Sequence, residues 1–357
     1  MRILIIAGGT GGHIFPALAV ADLLKKKGLE VFWLGSEVGL EKNIIPDRFP
    51  LICIPAQRLR GKGLKALLAA PWNITSSTWQ AWKIIHKLKP AAVLAMGGFV
   101  CGPGGMAAKL ARIPLIIHEQ NAISGYTNRM LSKIADQVIC AYPDVFPGAK
   151  AIGNPVRANI VAVAQPVDRL AHRRGPLRVL ILGGSQGAHA LNELVSQMVL
   201  SFPSPDKIEI WHQTGKKDYA VIHDRYQQSQ ITAKAQAFID DMATAYQWAD
   251  LLIARAGALT VAEITAVGIA SILVPFPAAV DDHQWYNARY LEQAGAAKLI
   301  RESDLTLTQL SALVIQFEQD RSLLVAMAQK ARDLYQADSA QILTEIVLKK
   351  AKNQILI

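Results

Sequence analysis

The chain has 357 residues, 51% of them hydrophobic and 18% charged, with a formal net charge of +10. That length suits two domains, and the hydrophobic share excludes a disordered chain. The positive balance fits an anionic substrate or an anionic membrane surface, whereas no zinc-ligand spacing, RNP-like run or basic heptad region accompanies it to indicate nucleic acid.

Residues 2–7 read as a strand buried on both faces, and their apolar run, 3–7, is too short for a signal-peptide core. Gly8-Gly9-Thr10-Gly11-Gly12-His13 follows, and 16–27 carries apolar residues at helical spacing until Gly28 ends it. A second strand is expected at 31–35. The uncharged stretches 66–82 and 91–108 are long enough to raise the question of a membrane span. Pro71, Asn73 and the run 75–78 of hydroxyl residues argue against it in the first, and five glycines with Pro103 argue against it in the second. Further strands are expected at 92–96, 115–118 and 137–141. Cys53, Cys101 and Cys140 are odd in number and lie in apolar surroundings, as reduced, buried thiols of a cytoplasmic protein would.

The interval 153–176 mixes Pro, Gly and charge and is read as the linker. The pattern then restarts, with strands at 178–182, 208–213, 251–254 and 271–274, each followed by glycine or proline. The end, 339–357, reads as an amphipathic helix with a basic tail. The expected fold is α/β, with a first domain over 1–158 and a second over 165–338.

Four glycine-rich segments fall at strand ends: 8–13, 97–105, 183–188 and 255–263. Ligands of parallel α/β sheets bind there, where glycine lets the backbone approach an anion and a helix start offers free N–H groups. The first segment is a poor dinucleotide fingerprint. Its third glycine position is Ile14, and the second strand ends Leu34-Gly35-Ser36 where a ribose-binding acid is wanted. Glu263 is placed in the first helical turn, suited to sugar hydroxyls or merely to capping. There is no Asp-x-Asp for a metal under a diphosphate, no P-loop and no Gly-x-Ser-x-Gly elbow.

Seven motifs in order then carry a resemblance over nearly the whole chain. They are Gly8-Gly-Thr-Gly-Gly-His13, Met96-Gly-Gly-Phe-Val-Cys-Gly-Pro-Gly-Gly105, His118-Glu-Gln-Asn121, Gly153-Asn-Pro-Val-Arg157, Gly183-Gly-Ser-Gln-Gly-Ala188, Arg255-x-Gly-Ala-Leu-Thr-x-x-Glu263 and Asp281-Asp-His-Gln284. The chain resembles the bacterial MurG family, UDP-N-acetylglucosamine transferases of peptidoglycan synthesis. The resemblance implies a GT-B fold of two Rossmann-like domains facing a cleft, with helix 339–357 packing back on the first domain. It implies inverting transfer of GlcNAc from UDP-GlcNAc to the C4 hydroxyl of MurNAc in lipid I, giving lipid II, with no cofactor and no metal. It places the protein peripherally on the cytoplasmic face of the inner membrane, with cell-wall synthesis enzymes as candidate partners. Related enzymes such as UDP-GlcNAc 2-epimerases and lipid A disaccharide synthases would share the donor-side loops.

Carried over by position, Phe238 and the Ile239 backbone hold the uracil and Glu263 the ribose. Ser185 and the helix start at Ala258, Leu259 and Thr260, with Val261 and Ala262 behind it, hold the phosphates. Gln284, Asn121 and Arg157 complete the sugar and diphosphate contacts, with Thr10, Gly11 and Gly12 opposite. An inverting transfer needs a base and a means of stabilising the departing UDP. His13 is the expected base and Glu119 its rival; Arg157 or Arg255 would support the leaving group. Separately, Leu64, Leu67, Leu68, Trp72, Ile74, Trp79 and Trp82 lie between the basic groups Arg58, Arg60, Lys62, Lys65 and Lys83, Lys87, Lys89. That composition suits an interfacial patch on anionic lipid, and equally a helix packed on its own core.

Overall fold

The computed structural model describes residues 1–56, 63–171, 173–183 and 188–355, without side chains for 63–69 and 355. The chain forms two compact units, Met1–Arg157 with the chain from Gln336 onward, and Ala158–Tyr335.

In the first unit, β1 (Arg2–Ala7), β2 (Glu30–Ser36), β3 (Leu51–Ile54), β4 (Ala92–Gly97), β5 (Leu115–Glu119), β6 (Gln137–Cys140) and β7 (Lys150–Ala151) make one parallel sheet in the order β3-β2-β1-β4-β5-β6-β7. Alternate residues of β1 go to opposite faces, as the two-residue period of a strand requires. Ile3, Ile5 and Ala7 pack with the helices Gly11–Lys26 and Ser339–Ile355, the latter through Leu343, Val347 and Ala351. Leu4 and Ile6 pack on the other side with Ala81 and Ile85 of the helix Gly63–Leu88. Burial on both faces explains the continuous apolar runs.

In the second unit, β8 (Leu177–Leu182), β9 (Ile208–Gln213), β10 (Thr232–Gln236), β11 (Leu251–Ala254), β12 (Ala270–Leu273) and β13 (Lys298–Leu299) are ordered β10-β9-β8-β11-β12-β13, again all parallel. Both sheets therefore reverse their winding beside the first strand, between β1 and β4 and between β8 and β11. The four glycine-rich segments follow these four strands, so each pair flanks a topological switch point, where α/β sheets bind ligands.

Three expectations from the sequence need correction. The interval 153–176 is not simply a linker: it holds the helices Ala158–Val161 and Pro166–Leu170. Arg169, buried, donates to the carbonyls of Ala164, Val267 and Gly268 and so caps the far end of the helix Ala258–Val267. Second, the first helix begins at Gly11, before the Pro16 that reads as its start. Third, all three cysteines are free, but only Cys101 and Cys140 are buried; Cys53 is half-buried.

Candidate active site

The first switch point is built by close backbone approach. The Gly8 amide donates to the Gly97 carbonyl at 3.4 Å. Gly97 and Gly98 have φ of +111° and +89°. A Cβ on Gly98 would lie 2.2 Å from the Gly8 carbonyl oxygen, and one on Gly97 would lie 2.4 Å from His13 Nδ1. Only glycine fits there, because the turn after β4 is packed against both the turn after β1 and the imidazole. The expected glycine loop is shorter than 97–105. Its later glycines lie inside the helix Cys101–Leu110, and Gly104 lets that helix sit on Ile6.

Glu41 has no local signal in the sequence and proves central. It is fully buried, and its carboxylate accepts from the Gly9 amide at 2.9 Å, the Ser36 amide at 2.8 Å and the Ser36 hydroxyl at 2.6 Å. It thereby ties the first glycine turn to the end of β2.

His13 lies in the first turn of the helix Gly11–Lys26, half-buried, instead of closing a loop. Its Nδ1 is 2.9 Å from Gln120 Oε1. Thr10 is an exposed, extended N-cap whose hydroxyl makes no cap bond, and the first turn carries no acid. The helix start at Gly11 and Gly12 thus presents roughly half a positive charge. The Arg157 guanidinium stacks 4.8 Å from the centre of the Phe15 ring on the same helix.

Glu119, the rival base, is 1% exposed and accepts four hydrogen bonds. Oε1 takes the Asn121 amide at 3.0 Å and its side-chain nitrogen at 3.1 Å; Oε2 takes the Gly125 amide at 3.0 Å and Asn128 Nδ2 at 2.9 Å. A carboxylate so occupied braces the turn after β5 and is not placed to receive a substrate proton. Asn121 is held at that turn by the same carboxylate.

In the second unit, Ser185 lies outside the described residues. The helix Ala258–Val267 starts at Gly257, with no side-chain cap and no acid in its first turn. Its first-turn amides at Ala258, Leu259 and Thr260 lie ahead of the helix's own hydrogen-bond ladder, as at helix starts that can receive an anion. Val261 does not belong to it: its amide donates to the Gly257 carbonyl at 3.0 Å, and it and Ala262 are buried. Glu263 is the sixth residue of the helix, hence in the second turn and not the first. It is 5% exposed and accepts from the Tyr246 hydroxyl at 3.0 Å. Gln284 joins the same place, its Oε1 accepting from the Ala256 amide at 3.2 Å and the Phe276 amide at 2.9 Å. Just before it, Asp281 and Asp282 have consecutive left-handed φ of 53° and 52°.

Phe238 is 46% exposed, beside Ile239, whose amide is committed to Gln213 Oε1 at 3.0 Å. Arg255 is also committed. Its guanidinium donates to Glu302 and to the carbonyls of Val274 and Pro275, so it shapes the turn after β11 and is not the leaving-group cation.

On the first unit's surface, Trp72 and Trp79 are 77% and 56% exposed on the helix Gly63–Leu88, with Lys83 Nζ 3.3 Å from the Trp79 ring centre. Trp82, in contrast, packs on the core and stacks on His86. The helix Cys101–Leu110 lies against this helix and exposes Met106 and Leu110, and the helix Tyr126–Leu131 beside it exposes Tyr126 and Met130. Arg58, Arg60 and Lys62 lie outside the described residues, as do the side chains of Leu64, Lys65, Leu67 and Leu68. Among the described residues, no helix is long and apolar enough to cross a membrane.

Comparison with known proteins agrees with this geometry. Residues 3–140 match the glycosyltransferase family 28 N-terminal domain and residues 178–343 the family 28 C-terminal domain. A Coxiella burnetii protein named UDP-N-acetylglucosamine--N-acetylmuramyl-(pentapeptide) pyrophosphoryl-undecaprenol N-acetylglucosamine transferase is 52% identical over 95% of this chain and 96% of its own length. A Dechloromonas aromatica protein of the same name is 46% identical over 98% and 99%. The crystal structure of Acinetobacter baumannii MurG superimposes with a TM-score of 0.84 at 40% identity, covering 98% of this chain and 99% of that one.

Proposed function

The chain belongs to the family of UDP-N-acetylglucosamine--N-acetylmuramyl-(pentapeptide) pyrophosphoryl-undecaprenol N-acetylglucosamine transferases, with the GT-B fold, and from that premise we propose that it transfers GlcNAc from UDP-GlcNAc to the C4 hydroxyl of MurNAc in lipid I, giving lipid II with inversion and without a metal. One observation carries the reading: the likeness runs through both units and not the donor-type unit alone, so it extends to the acceptor as well as the sugar nucleotide.

In the reaction, the acceptor hydroxyl oxygen forms a bond to the anomeric carbon of GlcNAc. The bond from that carbon to the β-phosphate oxygen breaks, and its electron pair leaves with UDP. The hydroxyl proton passes to Nε2 of His13. Attack from the face opposite UDP inverts the carbon. The charge growing on UDP is met by the fixed dipoles of the amides at Ala258, Leu259 and Thr260, and Arg157 supplies a cation. Phe238 and the Ile239 carbonyl receive the uracil, Glu263 the ribose and Gln284 the sugar. Asn121 and the helix start at Thr10, Gly11 and Gly12 hold the acceptor's pyrophosphate and sugar.

The exposed Trp72, Trp79, Leu110, Met106, Tyr126 and Met130, interleaved with lysines, support peripheral binding to an anionic membrane at the cytoplasmic face, where the lipid acceptor would reside.

The deciding experiment incubates labelled UDP-GlcNAc with a lipid I analogue under EDTA. Labelled disaccharide product is expected. Transfer restored only by added Mg²⁺ would remove metal independence, and UDP release without labelled acceptor would remove the acceptor.

A further inference from the structure

We propose that Gln120 and His118 are positioning residues for His13, relaying the polarity of one backbone carbonyl so that His13 is held as the Nδ1–H tautomer with its lone pair on Nε2. The inference rests on His13 as the base.

The chain of bonds has a fixed end. The Gly153 carbonyl oxygen can only accept, so His118 Nε2, 3.1 Å away, must carry the proton. His118 is fully buried, and burial lowers its pKa from 6.5 to about 4, so near neutrality it is uncharged and its Nδ1 is an acceptor. Gln120 Nε2 lies 3.1 Å from that Nδ1 and 3.0 Å from the His118 carbonyl oxygen. Two acceptors thus face one end of the Gln120 side chain, and only its NH₂ satisfies them. The amide oxygen is left pointing the other way, 2.9 Å from His13 Nδ1. An acceptor at that distance requires an N–H on Nδ1.

The relay is rigid. Gln120 is 1% exposed, and its backbone carbonyl accepts from Asn154 Nδ2 at 3.0 Å. The His13 ring is pinned from beneath by Gly97, where a Cβ would strike Nδ1. Flipping the Gln120 amide would set its oxygen against two buried acceptors and leave His118 Nδ1 without its donor. The consequence is chemical. Free histidine favours the Nε2–H tautomer, which offers no base at the nitrogen away from Gln120. The relay reverses that preference and also accepts from the imidazolium once His13 is protonated.

The test is a long-range ¹H–¹⁵N correlation spectrum of the full chain labelled with ring-¹⁵N histidine, recorded at alkaline pH. His13→Ala identifies its signals among the 8 histidines. The expected result is a proton on Nδ1 in the native protein. In Gln120→Leu the proton moves toward Nε2, kcat falls roughly 10-fold to 10³-fold, and KM for UDP-GlcNAc stays within about twofold. A native His13 carrying its proton on Nε2 overturns the proposal whatever the activity, and this measurement does not depend on any Gln120 variant folding. Native kcat in a Gln120→Leu protein whose tautomer has switched overturns it too. Failure of the base reading shows elsewhere, as a His13→Ala protein that keeps its turnover while the native spectrum still displays the relay.

Discussion

The carboxylate of Glu41 accepts a hydrogen bond from the Gly9 amide at 2.9 Å, joining residues 32 apart in sequence. Because the same buried group also takes two bonds from Ser36, its loss leaves three donors without a partner. Glu41→Ala is expected to lower the stability of the first unit by about 3 kcal/mol, near 1 kcal/mol for each orphaned donor. Glu41→Gln should fall between, since its NH₂ must face one of those donors. Denaturant titration followed by intrinsic fluorescence measures both. Two native-like midpoints would show that the carboxylate does not hold the turn.

His13 and Glu119 should separate cleanly. His13→Ala is expected to lower kcat by about 10²-fold to 10⁴-fold with the UDP-GlcNAc dissociation constant little changed. Glu119→Gln must turn an NH₂ toward one pair of donors, either the two of Asn121 or the Gly125 amide with Asn128 Nδ2, so its main effect should be a stability loss of about 1–3 kcal/mol. The pH dependence of its remaining kcat should keep the native shape. Loss of the acidic limb of that profile in Glu119→Gln, and not in His13→Ala, would reverse the assignment.

Acid should loosen both units through buried histidines. His118 and His212 are each fully buried, and desolvation lowers their pKa from 6.5 to about 4 and about 3. The unfolded chain therefore binds protons more readily than the folded one below pH 6.5. Their contribution is complete above that pH and is lost as pH falls from 6.5 toward 4 and 3. At about 1.4 kcal/mol for each tenfold difference in proton affinity, His118 accounts for roughly 3 kcal/mol by pH 4. Unfolding free energies measured from pH 7 to pH 4 should fall less steeply in His118→Gln, which does not titrate. An unchanged slope would mean that His118 is charged in the folded protein.

Asp282 pairs with Arg301 at 3.0 Å while holding a φ of 52°. The ion pair is exposed and contributes at most about 1 kcal/mol, similar to the relief glycine brings to left-handed backbone. Asp282→Gly should therefore sit near native stability, whereas Asp282→Ala should lie about 1 kcal/mol below it. Equal thermal midpoints for the two variants would show that the backbone is not strained there.

The exposed tryptophans give a surface test. Trp72→Ala with Trp79→Ala, leaving the core-packed Trp82 intact, should reduce cosedimentation with vesicles containing anionic lipid by about 10-fold or more while thermal stability is retained. Undiminished binding would move the membrane contact elsewhere.

Much of this protein was readable from short-range signals. The buried strands, the glycine turns that follow β1, β4 and β11, and the helix Ala258–Val267 are all written in adjacent residues, because parallel strands need unbroken apolar runs and tight turns need glycine. Sequence order also placed His13 beside the first turn. It did not reveal that the helix starts at Gly11, since Pro16 is a stronger local start signal than the packing that overrides it. Nor could it choose between His13 and Glu119, or find Glu41. The roles of these groups depend on which donors surround them: Gly9 and Ser36 around Glu41, Gly125 and Asn128 around Glu119, Gln120 against His13. These partners lie up to 107 residues away in sequence and are brought together by the order of strands in the sheet. Residue identity determined which groups can donate or accept a proton; the tertiary hydrogen bonds decided which partners those groups already hold.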